Sequence, residues 1–136
     1  MFIRKHNFVK RRKDEGTPLQ RYWASFKHAV DGIVYAMEVE HNMLIIMIAT
    51  IVTLVLGYAL EISTIEAIII IMCICLVMAC EMINTAIEAV VDLITLKEND
   101  LARIAKDSVS SATLILSFMS LIIGLIIFVP KIIELF

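Results

Sequence analysis

The chain has 136 residues, of which 60% are hydrophobic and 19% charged, and its mean hydropathy is +0.90. A soluble domain of this size needs more polar residues to cover its surface, so the composition excludes an ordinary soluble protein, a disordered chain and a nucleic-acid-binding protein. The formal net charge of −2 adds nothing by itself. Cys73, Cys75 and Cys80 share one apolar run, which predicts buried thiols rather than a disulfide framework.

The first part of the chain is polar and basic. Residues 1–17 are predicted to form a flexible basic tail, which is either attracted to anionic headgroups or simply solvated. The first 42 residues contain no apolar core of a signal peptide, so no cleavable signal is expected. Residues 18–41 are predicted to form an amphipathic helix in the membrane interface, because apolar side chains recur there every three or four residues: Trp23, Phe26, Val30, Ile33, Val34 and Met37.

Three apolar runs follow, over about residues 43–60, 65–94 and 109–129. The first has about 18 residues, which at 1.5 Å per residue nearly spans a hydrocarbon core of about 30 Å. The second is longer than a membrane requires, and Pro130 is predicted to stop the third. The expected fold is an all-α membrane protein with three transmembrane helices and an N-terminal interfacial helix, forming one domain over residues 18–136.

The basic residues predict the orientation of these spans. Eight lie before the first span and three between the second and third, but only Lys131 lies on the other side. This positive-inside bias predicts a cytoplasmic N-terminus and a cytoplasmic second loop. The basic residues before the first span are Arg4, Lys5, Lys10, Arg11, Arg12, Lys13, Arg21 and Lys27, and those in the second loop are Lys97, Arg103 and Lys106.

Glu81, Asn84, Glu88 and Asp92 are the informative residues of the second span. At about 100° per residue they fall within about 80° of one another, so three carboxylates and an amide share one helix face. A carboxylate at the bilayer centre costs about 2.5 to 3.5 kcal/mol, and like charges four residues apart repel. The stripe therefore needs a neutralising partner.

Two kinds of partner are possible. Asp92 can pair with Lys97, Arg103 or Lys106 where the helix emerges, whereas no basic partner for the deeper Glu81 is obvious. Carboxylates on one face also suit Mg²⁺, which needs only one or two when phosphates and water complete its octahedron. Glu40, at the start of the first span, can join the same cation or can be an ordinary helix-end carboxylate.

Lys106 and Asp107 precede the third span. Lys106 can be an interfacial anchor or, beside the acidic stripe, a phosphate ligand. The chain has no GxxxxGK[ST], GxGxxG or kinase HRD/DFG motif, so a nucleotide would need a site of its own.

The pattern EMINTAIEAVVD over residues 81–92, followed by Ala105-Lys106-Asp107, resembles the signature of the prokaryotic integral-membrane diacylglycerol kinase and undecaprenol kinase family. With the three spans and the upstream helix that carries Glu40, the resemblance covers about residues 18–130. It implies an ATP-dependent lipid kinase in the bacterial plasma membrane, with Mg²⁺ as cofactor and ATP and a lipid alcohol as substrates. It also implies a homotrimer whose sites, on the cytoplasmic side, draw on neighbouring subunits.

The resemblance assigns roles residue by residue. Glu81 matches the general base, with Asn84 beside it, and Glu40 and Glu88 match the carboxylates that hold the metal on ATP. The other nucleotide contacts that it implies are Arg21, His28, Lys97, Glu98, Asn99, Lys106 and Asp107, and the lipid contacts are Arg21, Glu81 and Ser110. Two positions depart from better-known members, His28 in place of tyrosine and Ser111 where glycine is frequent.

Several alternatives stay open from the sequence. Within the kinase hypothesis, undecaprenol is favoured over diacylglycerol, because the NTAIE pattern and the basic N-terminal extension resemble Gram-positive members. A second hypothesis is an ion or proton path, which explains Glu81 and Glu88 but gives Lys106 and Glu40 no task. A third is a non-enzymatic membrane partner whose helices associate through Asn84 and Thr85.

Overall fold

The computed structural model describes residues 17–136, so most of the predicted basic tail, residues 1–16, lies outside the described residues. Over this range the structure contains four helices and no strand: α1 (Pro18–Val39), α2 (His41–Ala59), α3 (Thr64–Ile94) and α4 (Asp100–Ile133). Helices α2, α3 and α4 are each long and apolar enough to cross a membrane. The predicted all-α fold with three spans is confirmed.

Helix α1 begins with a reciprocal capping interaction. The Thr17 backbone N–H donates to Gln20 Oε1 at 2.9 Å, and the Gln20 N–H donates to Thr17 Oγ1 at 3.4 Å. Pro18 takes the first helical position, where its missing N–H removes no helical hydrogen bond. Residues 17–32 form one compact unit and residues 33–136 another. Within the first unit, Trp23 and Phe26 are exposed and meet edge to face, with ring centroids 6.1 Å apart.

In the second unit, α3 packs mainly against α4 and to a smaller extent against α2. The buried apolar side chains are few: Ala36, Met43, Ile70, Val77 and Ile127. Most other apolar side chains on the three spans are exposed. A bilayer, whose tails are as apolar as these side chains, is the solvent in which such a surface is stable.

A Schellman motif connects α2 to α3. The Ile62 N–H donates to the Gly57 carbonyl at 3.2 Å and the Glu61 N–H donates to the Tyr58 carbonyl at 3.3 Å, while Glu61 adopts a φ of +48°. Ser63 then caps α3 with a capping box, in which the Ser63 N–H donates to Glu66 Oε2 at 2.7 Å. At this same end, Lys131 of α4 pairs with Glu66 at 3.5 Å.

Two helix boundaries differ from those expected from hydropathy. Helix α4 begins at Asp100 rather than near Val109, because Asn99 caps it by accepting from the N–H groups of Leu101 and Ala102 at 2.9 and 3.2 Å. Pro130 does not end α4, which continues to Ile133. A proline this close to a helix end removes one hydrogen bond, and the Pro130 carbonyl still accepts from the Glu134 N–H at 3.1 Å.

Candidate active site

The polar stripe of α3 lies in the half of the helix nearer the α3–α4 loop, an end of the bundle that we call the loop end. Glu81 and Asn84 are buried at 1% and 4% exposure, Glu88 is half-buried and Asp92 is exposed. Burial therefore deepens along the stripe from Asp92 to Glu81. A site on this face can meet water at Asp92 and apolar surroundings at Glu81.

Glu81 is the most unusual of these side chains. Its Oε1 atom is buried and has no hydrogen-bond partner among residues 17–136. The adjacent buried hydroxyl of Thr85 donates to the Glu81 backbone carbonyl at 3.0 Å, so it does not satisfy the carboxylate. A buried polar group without a partner costs free energy, which a fold retains where the group has a task.

Asn84 links the stripe to α4. Its Nδ2 donates to Glu88 Oε1 at 3.1 Å, and the Ser110 hydroxyl donates to Asn84 Oδ1 at 3.2 Å. Both ends of the amide are thereby used, which fixes its orientation. This bond holds the Glu88 carboxylate beside Asn84 on the same face of α3.

Glu40 lies between α1 and α2, where its backbone N–H donates to the Ala36 carbonyl at 2.9 Å. Its side chain does not cap α2. Burial, followed by the negative charges of Glu88 and Glu81, raises the pKa of the Glu40 carboxyl above its ordinary value, and His41 opposes this in part. Glu40 therefore lies in the electrostatic field of the stripe, and an added cation would relieve the repulsion.

The carboxylates at the loop end suit a hard cation such as Mg²⁺ that takes its remaining ligands from nucleotide phosphates and water. No three His, Cys, Asp or Glu residues within residues 17–136 are arranged as a complete metal site. Glu40 and Glu88 are two carboxylates whose charges interact, which is the number Mg²⁺ takes from a protein when nucleotide phosphates and water fill the remaining positions.

Lys106 reaches across from α4 to α3. Its Nζ contacts Asp92 Oδ1 at 2.5 Å, and the charge of Glu88 acts on the same ammonium group. Of the three basic partners open to Asp92 in the sequence, the structure selects Lys106. Arg103 turns instead to its own helix, with Nη1 3.6 Å from Asp107 and Nη2 4.0 Å from Asp100.

The remaining predicted contacts are more exposed. Lys97, Glu98 and Asn99 lie in the α3–α4 loop, residues 95–99, where the Asn99 side chain is occupied as the cap of α4. Arg21 and His28 lie on exposed positions of α1 in the first unit, with His28 Nδ1 4.0 Å from Asp31. Ser111 donates to the Asp107 backbone carbonyl at 2.7 Å.

Sequence reasoning named Lys106 as one possible partner of Asp92, but it did not identify Ser110 and Thr113 as the α4 residues that contact Asn84 and Cys80. Lys106, Ser110 and Thr113 contact Asp92, Asn84 and Cys80 in turn, the last at 3.4 Å between Thr113 Oγ1 and Cys80 Sγ. Their spacing of four and three residues places them on one helix face, and this signal was available in the sequence. The three cysteines are free thiols, as predicted, but the prediction that they are buried is wrong: Cys73 and Cys80 are half-buried and Cys75 is exposed, because the other described helices do not fully cover these positions of α3.

The fold and the stripe define an all-helical integral membrane protein with an acidic site near one end of its spans. Comparison with known proteins identifies its family. Residues 27–128 match the family described as prokaryotic diacylglycerol kinase. The chain is 41% identical over 119 residues to an undecaprenol kinase of Bacillus subtilis, and the aligned region covers 88% of this chain and 97% of that protein. It is 31% identical over 112 residues to a diacylglycerol kinase of Synechocystis, and the aligned region covers 82% of this chain and 64% of that protein.

The chain therefore belongs to the prokaryotic diacylglycerol kinase family. It is a lipid kinase, a phosphotransferase that acts on a lipid alcohol in a membrane. Because the members of this family are kinases, family membership favours the enzyme hypothesis over the two other hypotheses from the sequence, an ion or proton path and a non-enzymatic membrane partner. The Asn84–Ser110 hydrogen bond does join two helices, as the third alternative required, but Thr85 bonds only within α3.

Proposed function

We propose that this protein transfers the γ-phosphoryl group of ATP to the hydroxyl of undecaprenol. The observation that carries the proposal is the buried carboxylate of Glu81, whose Oε1 has no partner among the described residues. A carboxylate of this kind can accept a proton from a lipid hydroxyl that arrives from the apolar side. Glu88 and Asp92, farther along the stripe, are increasingly exposed, and the nucleotide can reach them from water.

The proposed reaction follows from these positions. Glu81 orients the lipid hydroxyl and accepts its proton as the hydroxyl oxygen bonds to the γ-phosphorus. The bond from that phosphorus to the β–γ bridging oxygen breaks, and ADP leaves. Phosphoryl transfer asks little of the protein beyond position and charge, so Asn84, tied to both Glu88 and Ser110, serves to keep the stripe in register.

Charge compensation is the second proposed role. Glu40 and Glu88 would hold Mg²⁺, which when bound neutralises phosphate charge. Lys106 and Asp107 contact the nucleotide, and Lys106 faces its phosphates. Arg21, His28, Lys97, Glu98 and Asn99 are proposed as further nucleotide contacts, and Arg21 and Ser110 as lipid contacts.

The choice of lipid is supported by similarity. The undecaprenol kinase of Bacillus subtilis is aligned over 97% of its length, whereas the Synechocystis diacylglycerol kinase is aligned over 64%. Diacylglycerol is the second candidate, favoured by the family description. Both lipids present a primary hydroxyl, so the mechanism is the same for each.

We also propose a location and an assembly. The positive-inside bias supports a bacterial plasma-membrane protein with its N-terminus and active site on the cytoplasmic side. The resemblance to the family supports a homotrimer with sites shared between subunits. Single cysteines introduced at Glu98 and at Glu134 test the orientation: an impermeant thiol reagent added to intact cells should label only the second.

The function is tested by following labelled γ-phosphate from Mg·ATP in mixed micelles, with undecaprenol and diacylglycerol offered side by side. We expect the polyprenol to be phosphorylated with the higher kcat/KM. A preference for diacylglycerol would overturn the proposed substrate and leave the kinase. Labelling of neither lipid by folded protein that binds Mg·ATP would overturn both candidate lipids and leave a kinase that acts on another lipid alcohol.

A further inference from the structure

We propose that Asp92 is a positioning residue that holds the Lys106 ammonium group ready for the phosphates of the nucleotide. The inference rests on the proposed function, because it takes Lys106 as a phosphate contact. It gives a task to the one member of the stripe that the proposed mechanism does not use.

The geometry joins two helices at one point. Asp92 comes from the last turn of α3 and Lys106 from the second turn of α4, and Lys106 Nζ contacts Asp92 Oδ1. The charge of Glu88, a proposed metal ligand on the same face of α3, also acts on this ammonium. Asp92 therefore keeps Lys106 beside the place where the proposed metal and phosphates meet.

Fold stability does not account for this pair. The side chains of Lys106 and Asp92 are 34% and 51% exposed, and ion pairs at such positions contribute little to stability. A carboxylate in the last turn of a helix also opposes the helix dipole. An aspartate at this position is thus unfavourable for α3 by itself.

Nucleotide binding does account for the Asp92–Lys106 pair. A lysine has three N–H donors on a flexible four-carbon stem, and it loses side-chain entropy when a ligand fixes it. Asp92 uses one donor and orders the stem before the nucleotide arrives, which leaves two donors for phosphate oxygens. The entropy cost of ordering Lys106 is then met in the folded protein rather than on binding.

The test compares Asp92→Ala with Asp100→Ala, which removes another aspartate of an exposed ion pair, the one with Arg103. For each variant we would measure the KM for Mg·ATP, the KM for the lipid, and the melting temperature with and without Mg²⁺ and a non-hydrolysable ATP analogue. We expect Asp92→Ala to raise the KM for Mg·ATP about tenfold, since ordering one long side chain is worth that order of affinity. The KM for the lipid and the nucleotide-free melting temperature should not change, and Asp92→Glu should recover part of the loss.

A Lys106→Gln background separates this inference from the proposed function. There, Asp92→Ala should reduce nucleotide-induced stabilisation no further, because the group that it positions is gone. An equal loss in both backgrounds, or a lower nucleotide-free melting temperature with both KM values raised, would overturn the positioning role. If Lys106→Gln itself left nucleotide binding intact, the phosphate contact assigned to Lys106 would be wrong and the inference would fail with it. Because the analogue reports binding without turnover, the pair is tested even if neither lipid is phosphorylated.

Discussion

Glu81 is a carboxylate that the fold buries on an apolar helix without supplying a partner for Oε1 from the described chain. Neighbouring groups that could have satisfied it are engaged elsewhere: Thr85 donates to the backbone and Asn84 donates to Glu88. The local hydrogen bonds thus leave one acceptor open, which suits the role of general base that we propose for Glu81.

The first prediction concerns Glu81→Gln. The amide keeps the size of the side chain and cannot take a proton from the lipid, so we expect kcat to fall by at least about 100-fold, the lower range of general-base contributions. Stabilisation by Mg·ATP in detergent should remain. Glu38→Gln, the same change at an exposed position of α1, is the control and should retain full activity. Near-normal turnover by Glu81→Gln would remove Glu81 from the role of base.

The second prediction concerns Glu40→Gln and pH. A raised pKa means that folded protein binds the Glu40 proton more tightly than unfolded protein, so this carboxyl favours folding at low pH and loses that contribution as pH rises through the raised pKa. Without metal and nucleotide, Glu40→Gln should therefore be more stable than the parent at neutral pH, and the difference should vanish on acidification.

Thermal melting at a series of pH values measures this effect, with Glu38→Gln as a matched control that should follow the parent. Adding Mg·ATP should stabilise the parent more than Glu40→Gln, since the variant lacks a proposed metal ligand. A variant less stable than the parent at every pH would show that the Glu40 charge is compensated in the nucleotide-free protein.

The spacing of residues 81–92 was enough to place three carboxylates and an amide on one face, because helix geometry alone determines it. Which cation pairs with Asp92 depended on the rotation of α4 about its own axis. Lys97, Arg103 and Lys106 were all within reach in sequence, and only packing against α3 turns Lys106 toward the stripe. The hydrogen bond from Ser110 to Asn84 was hidden for the same reason.

At the scale of elements, the turn between α2 and α3 contains a residue under conformational strain. Glu61 holds a φ of +48° at the position of a Schellman motif that glycine usually fills. The close approach of Ile62 to Gly57 is part of the same turn, since a Cβ on Gly57 would lie 2.9 Å from Ile62 Cδ1. The turn tolerates the strain at Glu61 because the two backbone hydrogen bonds of the motif remain intact.

The third prediction is that Glu61→Gly stabilises the protein by about 1 kcal/mol, the usual cost of a left-handed conformation for a residue with a Cβ. Glu61→Ala is the matched control, because it removes the carboxylate and keeps the Cβ, and it should give no such gain. The free energy of unfolding in detergent measures both. Equal stabilisation by the two variants would attribute the effect to the charge instead of the backbone.

Hydropathy located three spans but placed the start of α4 too late. The segment from Asp100 to Ser108 is polar, so an apolar window passes over it, yet Asn99 caps a helix there and the Asp107 carbonyl accepts from Ser111. Asn99 was predicted as a nucleotide contact, and a capping role was not considered for it. An asparagine followed by an acidic residue is itself a helix-start signal.

At the scale of the whole molecule, the fourth prediction tests the proposed trimer with shared sites. Glu81→Gln and Lys106→Gln are each expected to be inactive, but mixed trimers should regain activity if one site combines groups from two subunits. Co-refolding at equal amounts, followed by the phosphotransfer assay, measures this. Separately refolded proteins mixed afterwards are the control, and absence of recovery in co-refolded samples would place Glu81 and Lys106 of a site on one subunit.

The hairpin of α3 and α4 has an interhelical ion pair near each end, Glu66 with Lys131 and Asp92 with Lys106. On α3 the paired residues are 26 positions apart and on α4 they are 25 apart, which corresponds to about 39 and 38 Å of helix. The hydrocarbon core is about 30 Å thick, so both pairs fit within the headgroup layers of an average bilayer.

The distance between the two ion pairs therefore matches the α3–α4 hairpin to a bilayer of one hydrophobic thickness. In a bilayer of much longer acyl chains, both ion pairs would be drawn into hydrocarbon, where separating or burying their charges is costly; in a thin one, apolar helix surface would meet water. We expect the melting temperature in a series of phosphatidylcholines to peak at intermediate chain length. Replacing both Glu66 and Lys131 by leucine should move the peak of melting temperature toward bilayers with longer acyl chains. Bilayer thickness is then one of the factors that determine in which membrane this kinase is most stable.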